Sequence, residues 1–416
     1  MTGTVNDPPM PEFLHLVDLA SRRLGSSVVA ANDESFAQRE NLIKPAPPTF
    51  AAYTFGHKGQ VMDGWETRRR REPGHDWAMI RLGLPGVVRG VVVDTAYFTG
   101  NYPPEISVEG TSFSGYPSPA ELEKADWFPL VPRSEVGGDR KNTFVVDAPE
   151  RVTHVRLCMY PDGGVARLRV HGEVVADPRY LSRGSVDLAA LENGGSVVGA
   201  SNTFYSSPTA LISTGQARVM GEGWETARRR DDANDWVEFR LAGPGEVHVA
   251  ELDTSCFVHN APGWASLRGR DARAGLGAPS AADPAPDPAA DPPPDPAGHP
   301  AGHQAAADWV ELLPRQRLQP DTRHRFRLAP GPEVTHVRLD IFPDGGMARV
   351  RLRGELSTTG RAALAVRWFD LLSAAQAKYV LTAEYGLSAE EADQTIAARP
   401  LPGLDRLPAV VRADLM

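Results

Sequence analysis

The chain has 416 residues, enough for two or three domains that each bury a core. Its net charge of −9 and pI of about 5.7 argue against nucleic acid as the main partner. MTGTVNDPPMPE at the start lacks the basic and apolar regions of a signal peptide, and no window approaches the ~18 apolar residues of a membrane span. The two cysteines, Cys158 and Cys256, have neither Cys-x-x-Cys nor zinc-like spacing, so reduced thiols in a cytoplasmic protein are expected.

In chain order, residues 1–12 read as a flexible tail. Phe13, Leu14, Leu16, Val17, Leu19, Ala20 and Leu24 then fit a short amphipathic helix closed by Gly25. Beyond it, β-branched runs alternate with Gly, Pro, Asn and Asp at close intervals, as at Trp77 to Leu82, Val87 to Val93, Val152 to Met159 and Val165 to Val170. That spacing predicts an all-β sandwich rather than βαβ units. Pro161-Asp-Gly-Gly164 supplies turn chemistry for a hairpin joining the last two runs.

Much of this is written twice. Asp63-Gly-Trp-Glu-Thr-Arg-Arg-Arg-Arg71 is echoed by Glu222-Gly-Trp-Glu-Thr-Ala-Arg-Arg-Arg230, with Trp65 and Trp224 lying 159 positions apart (224 − 65). Asp76-Trp77, Asp94-Thr95 and Asn101 recur at the same offset. His154 recurs as His336 at an offset of 182 (336 − 154), so the second copy has gained 23 residues (182 − 159). The gain maps to the Ala/Pro/Asp-rich tract, residues 271–306, which has too little apolar surface to order itself and is expected to be a disordered insertion. Its His299 and His303 lack the rigid frame of a metal site. The expected domains are 13–180 and 181–356, followed by a helical appendage at 361–416. In the appendage, Trp368 to Val380 marks one helix stopped by Gly386, and Ser388 with Glu391 is a capping box for a second.

Four consecutive arginines beside Trp, Glu and Thr stand out in an acidic chain. As an extended segment, alternation sets Trp65, Thr67, Arg69 and Arg71 on one side and Glu66, Arg68 and Arg70 on the other. The bland reading is a solvated polar strand. The functional reading is an anion site, since guanidinium holds carboxylate bidentately. His57 sits in a glycine-flanked loop, with no histidine at the matching place in the second copy. His154 and His336 occupy equivalent strand positions, where a structural role is favoured over a functional one. Asp33, Glu34, Asp63, Glu66, Asp76, Asp94 and Asp162 are the acidic candidates, of which Asp76 and Asp94 suit hydrogen bonding to turns and loops. No phosphate loop, Ser-His-Asp signature, His-Glu-x-x-His or Cys/His metal cluster is present.

The residues quoted, together with Val28-Val-Ala-Ala-Asn-Asp-Glu34, Gly74-His-Asp-Trp77, Phe98-Thr-Gly-Asn-Tyr-Pro103, Thr153-His-Val-Arg-Leu157 and Tyr160-Pro-Asp-Gly-Gly-Val-Ala-Arg-Leu-Arg-Val-His-Gly172, resemble the allantoicase family from about residue 13 to 355. The resemblance implies two jelly-roll domains of the galactose-binding type and hydrolysis of allantoate to ureidoglycolate and urea, in purine degradation through uric acid and allantoin. On that basis His57, Asp63 and Glu66 are expected to handle protons. Arg68, Arg70, Trp65, Asn101, His154 and Arg167 are expected to hold the substrate. No metal or other cofactor is called for; the expected partner is allantoate, with no nucleic acid or membrane, and a homo-oligomer is left open. The second copy departs from the family at Ala227 and Asn202, and Ser35 replaces a usual aromatic, so function is expected in copy one. The appendage is weakly similar to the start of the ureidoimidazoline (OHCU) decarboxylases but holds no histidine, and is expected to be inactive packing. The rival is a non-catalytic tandem jelly roll that binds a small anion or carbohydrate.

Overall fold

A computed structural model describes residues 11–273 and 309–416. The expected tail up to residue 10, and nearly all of the expected insertion with His299 and His303, lie outside the described residues. The chain divides into two compact units, residues 1–183 with 191–194 and 361–416, and residues 184–190 with 195–360.

The first unit is a jelly roll whose strands are β1 (Val17–Asp18), β2 (Ser27–Ala31), β3 (Phe55–Gly56), β4 (Gly59–Gln60), β5 (Trp65–Glu66), β6 (Asp76–Asp94), β7 (Glu105–Thr111), β8 (Phe128–Glu135), β9 (Lys141–Val145), β10 (Arg151–Tyr160), β11 (Gly164–Val165) and β12 (Arg167–Val174). The 19-residue β6 belongs to both layers. Its first half pairs with β2 and β10, and β10 continues to β7 and β8. Its second half pairs with β9 and β12, and β12 continues to β1. Gly83, Pro85 and Gly86 sit where it crosses; at Gly86 a Cβ would lie 2.1 Å from the Glu173 carbonyl oxygen, so only glycine permits the passage. Val87, Val88, Val91 and Val93 from β6, Val155 and Leu157 from β10, and Leu168 and Val170 from β12 form the core. The second unit repeats the order around Asp235–Asp253, with Val334–Phe342 and Arg349–Leu356 in the places of β10 and β12. The all-β, two-jelly-roll expectation is therefore borne out.

Two local expectations are not. Residues 13–24 form no amphipathic helix but a 3-10 turn at Glu12–His15, β1, and a second 3-10 turn at Arg22–Leu24. The apolar residues are spent on the sandwich instead: Phe13 closes over Gly90, and Leu19 donates its N–H to the Val170 carbonyl at 2.7 Å. Strand pairing here overrides helical periodicity, while Gly25 still ends the segment at φ +92°. Nor is Pro161–Gly164 a hairpin. β10 and β12 pair with different parts of β6, not with each other, so the turn carries the chain from one layer to the other. On the way β11 pairs with β5.

The appendage packs on the first jelly roll, within the same unit. Its helices are α2 (Thr358–Leu371), α3 (Ala374–Tyr379), α4 (Ala389–Ala397) and α5 (Ala409–Leu415), after α1 (Pro119–Glu123) of the jelly roll. The single helix expected over Trp368 to Val380 is broken at Leu372, because the Ser373 side chain caps a new one. The Ser388–Glu391 capping box forms as expected. Trp368, Phe369, Leu372, Val380 and Leu381 share a buried cluster with Val87 and Val175 of the jelly roll. Arg367 pairs with Glu173 at 3.0 Å, and Arg179 pairs with Glu384. Trp368→Ala should therefore cost about 3–5 kcal/mol in a denaturant melt of the full chain; a loss below about 1 kcal/mol would mean that the helices are not part of this core.

Candidate functional site

The Trp-Glu-Thr-Arg motif is held by what it buries. Trp65 is fully buried and its indole N–H donates to the Asp33 carbonyl at 2.8 Å; Thr67, also buried, accepts the Gly163 N–H at 3.2 Å. Between them, Glu66 bridges to Ala37 through the backbone, and β5 pairs with β11. These contacts turn the Glu66 side chain outward to Asn101, whose Nδ2 donates to Oε1 at 2.7 Å. Burial raises the Glu66 carboxyl above the ordinary glutamate range, the Asn101 hydrogen bond only partly offsetting it. Two residues on, the Arg68 N–H donates to Asp33 Oδ1 at 3.0 Å, and its guanidinium pairs with Oδ2 at 3.1 Å while its side chain remains 75% exposed.

Over this floor lies the β3–β4 hairpin, whose turn is His57-Lys58. Lys58 Nζ donates to the Glu34 carbonyl at 2.7 Å. A cavity of about 470 Å³ opens beside it, lined by Ala37, Asn41, Lys44, His57, Lys58 and Asp63 among others. Lys58 is a residue that the sequence reading passed over, although it shares the glycine-flanked turn with His57.

The second copy separates frame from chemistry. Its Trp224 donates to the Asn202 carbonyl at 2.9 Å, Asn260 donates to Glu225 at 2.7 Å, and Arg229 pairs with Asp235 at 2.8 Å as Arg70 pairs with Asp76 at 2.7 Å. What is missing is the Asp33–Arg68 pair, replaced by neutral Asn202 and Ala227, whose N–H donates to the Asn202 side-chain oxygen at 3.3 Å. Missing too is the hairpin: Lys44 to Asp63 spans ten positions more than the matching Ser213 to Glu222 (63 − 44 against 222 − 213).

The family model for the allantoicase repeat matches residues 17–175 and 186–357. The chain belongs to the allantoicase family. It is 50% identical over 372 residues to the probable allantoicase of Streptomyces coelicolor, with 86% of this chain and 90% of that one covered. It is 52% identical over 360 residues to that of Nocardia farcinica, with 86% and 99% covered. The crystal structure of allantoicase from Saccharomyces cerevisiae matches with a TM-score of 0.65 at 31% identity, over 81% of this chain and 92% of that one. The matched repeats end at residue 357, before the helical appendage. With the family established, the binding-only alternative falls away.

Within the first allantoicase repeat, the residues expected at the site do not all meet. Glu66, Asn101, Arg68 and Trp65 are gathered by Asp33 and the β5 bridge, and His57 and Asp63 line the adjoining cavity. Arg70 is turned away, its guanidinium on the buried Asp76 and its N–H on Asp162 at 2.8 Å. Arg167 is 1% exposed and spends its donors on the carbonyls of Ala46, Asp63 and Ala166 and on the Asp63 carboxylate, so it pins the loop from beneath. His154 stands six residues up β10 from Tyr160, roughly 20 Å at ~3.3 Å per residue, and its ring takes the Thr153 hydroxyl at 2.8 Å. Asp76 and Asp94 do bond to neighbouring loops, as expected. Among the described residues no three His, Cys, Asp or Glu side chains converge as a metal site.

Asp63 has the environment of a pin rather than a proton carrier. Burial alone would raise its pKa, but hydrogen bonds from Arg167, Lys44 and the Thr49 N–H hold it down at about 2. A depressed carboxyl stabilises the fold at pH values above the ordinary aspartate pKa and loses that contribution as pH falls through about 2. Asp63→Asn should therefore cost about 2 kcal/mol at pH 7, and chemical melts of wild type and variant should converge between about pH 4 and 2. A pH-independent gap would remove the ion-pair explanation.

Proposed function

We propose that this hydrolase, which converts allantoate to ureidoglycolate and urea, does so on the outer face of the first repeat, with Glu66 as the group that moves protons. The observation that supports it is the Glu66 carboxyl: outward-facing, partly buried, raised in pKa, with one oxygen fixed by Asn101. Allantoate is a carboxylate on a carbon bearing two ureido groups. The C–N bond breaks with its electron pair passing to the departing urea nitrogen, which must be protonated; water oxygen bonds to the same carbon and gives up a proton. A carboxyl poised between its two forms serves either transfer. His57, on the hairpin turn, is the candidate for the second. Arg68, with Lys58 beside the cavity, supplies positive charge for the substrate carboxylate. Arg70, Arg167, Asp63 and Trp65 act by positioning. His154 plays no part in this site.

We also read the protein as cytoplasmic and self-associating. Both cysteines are free, and burial pushes the Cys158 thiol up to about 11, a form suited to a reducing compartment. Among the described residues no helix is long and apolar enough to cross a membrane. Tyr53 and Phe55, 90% and 69% exposed, offer apolar surface for a second copy.

Glu66→Gln should lower kcat for urea release by about 10²–10⁴-fold with KM little changed. Because burial raises this carboxyl, the acid limb of the wild-type kcat/KM profile should lie above the ordinary glutamate range and vanish in the variant. Arg68→Ala should raise KM about 10- to 100-fold; an unchanged KM would take Arg68 out of the carboxylate clamp.

A further inference from the structure

Away from the catalytic face, where the appendage meets the first jelly roll, the structure holds a second polar cavity. It measures about 270 Å³ and adjoins another of about 500 Å³; the two share Phe113, Ser114, Tyr116 and Gln376. The smaller is lined by Arg81, Arg151, His154, Asp177, Arg179 and Gln376, among others.

Its charge is unbalanced. Asp177 is taken up by Arg179, which also pairs with Glu384. Arg151 is 5% exposed, and the one hydrogen bond its guanidinium makes among the described residues runs from Nε to the Val175 carbonyl at 2.8 Å. Arg81 donates to the Gly25 carbonyl at 3.0 Å, and its guanidinium lies 5.8 Å from the centre of the Tyr116 ring. Neither has a carboxylate within ion-pair distance among the described residues. His154 adds no charge at neutral pH, since burial pushes it down to about 4. Gln376 of α3, also in the lining, is 6% exposed, and its side-chain carbonyl oxygen has no hydrogen-bond partner among the described residues. Buried guanidinium without a carboxylate, and a buried amide carbonyl without a donor, are both costly unless something fills the space between.

The cavity is no by-product of the duplicated frame. Glu333 stands in the second copy where Arg151 stands in the first, and Gln376 belongs to the appendage, beyond the matched allantoicase repeats.

We propose that this junction is a second ligand site, for a small carboxylate that also carries N–H donors, as a ureido acid does. The carboxylate sits on Arg81 and Arg151, where charge-assisted hydrogen bonds are strongest, and the N–H group reaches Gln376. The appendage is then a wall of a binding site as well as core packing. The proposal does not depend on Glu66 being the proton carrier.

Equilibrium dialysis of the full chain with labelled N-carbamoylglycine tests it. The wild type should bind at a site whose affinity falls at least about tenfold in Arg81→Ala and in Gln376→Leu, while kcat/KM for allantoate stays unchanged in both. Urea, which lacks the carboxylate, and acetate or inorganic phosphate, which lack the N–H donors, should each bind there at least about tenfold more weakly. Arg81→Ala binding as tightly as wild type, or no binding to the wild type, overturns the site. Acetate, phosphate or urea binding equally well overturns the ligand class. If a lowered Tm shows that Gln376→Leu has loosened the appendage, Arg81→Ala decides alone, because its half-buried side chain makes little of the core.

Discussion

Everything at the outer face of the first repeat depends on the burial of one indole ring. Trp65 has no exposure, and its N–H donates to the Asp33 carbonyl. A buried indole N–H must be paired, so the ring fixes the loop that carries Asp33 relative to the strand that carries Glu66. Asp33 is thereby brought under Arg68, and Glu66 is left facing out towards Asn101. The same constraint operates on Trp224 and the Asn202 carbonyl in the second repeat, so the ring is part of the scaffold that both copies share.

Duplication makes that distinction possible without reference to any other protein. Contacts present in both repeats, including Glu–Asn, Arg–Asp at the start of the long strand, and the buried arginine under the loop, are those the fold needs to close. Contacts in the first repeat alone are those the fold can do without. The Asp33–Arg68 pair and the His57-Lys58 hairpin fall in the second class, and both make contact with the Asp33-Glu34 segment. Glu66 is in both classes at once: its hydrogen bond is shared, but only in the first repeat is it followed two residues on by an Arg–Asp pair. The arginine run is thus divided, with Arg70 committed to Asp76 and Arg68 to the solvent side.

The appendage shows how a segment outside the repeats changes the surface it covers. Its aromatic residues extend the first unit's core past Val87 and Val175, and its polar residues meet a wall where the first repeat departs from the second, Arg151 against Glu333. Burying an arginine without a carboxylate is expensive, and burial lowers its pKa to about 10 against a smaller opposing influence from Asp177. A duplicated frame tolerates such a group only at a place with its own reason for it.

The sequence by itself determined the duplication, the all-β class, the family, the capping box at Ser388 and the motif that forms the floor of the candidate site. These are written in local spacing: an offset between repeats, a period of two, or a turn residue at a fixed position. Tertiary structure alone decided which arginine stays exposed, since Arg68 and Arg70 look alike in a run and differ in whether Asp33 or buried Asp76 stands opposite. It decided that Asp63 is a pin, because its partners Lys44 and Arg167 lie 19 and 104 residues away. It also turned residues 13–24 from a helical pattern into edge pairing, sent Pro161–Gly164 between layers, and set His154 at the other end of its strand. Each outcome turns on partners distant in the chain, and hydrophobic periodicity says which face is buried without saying against what.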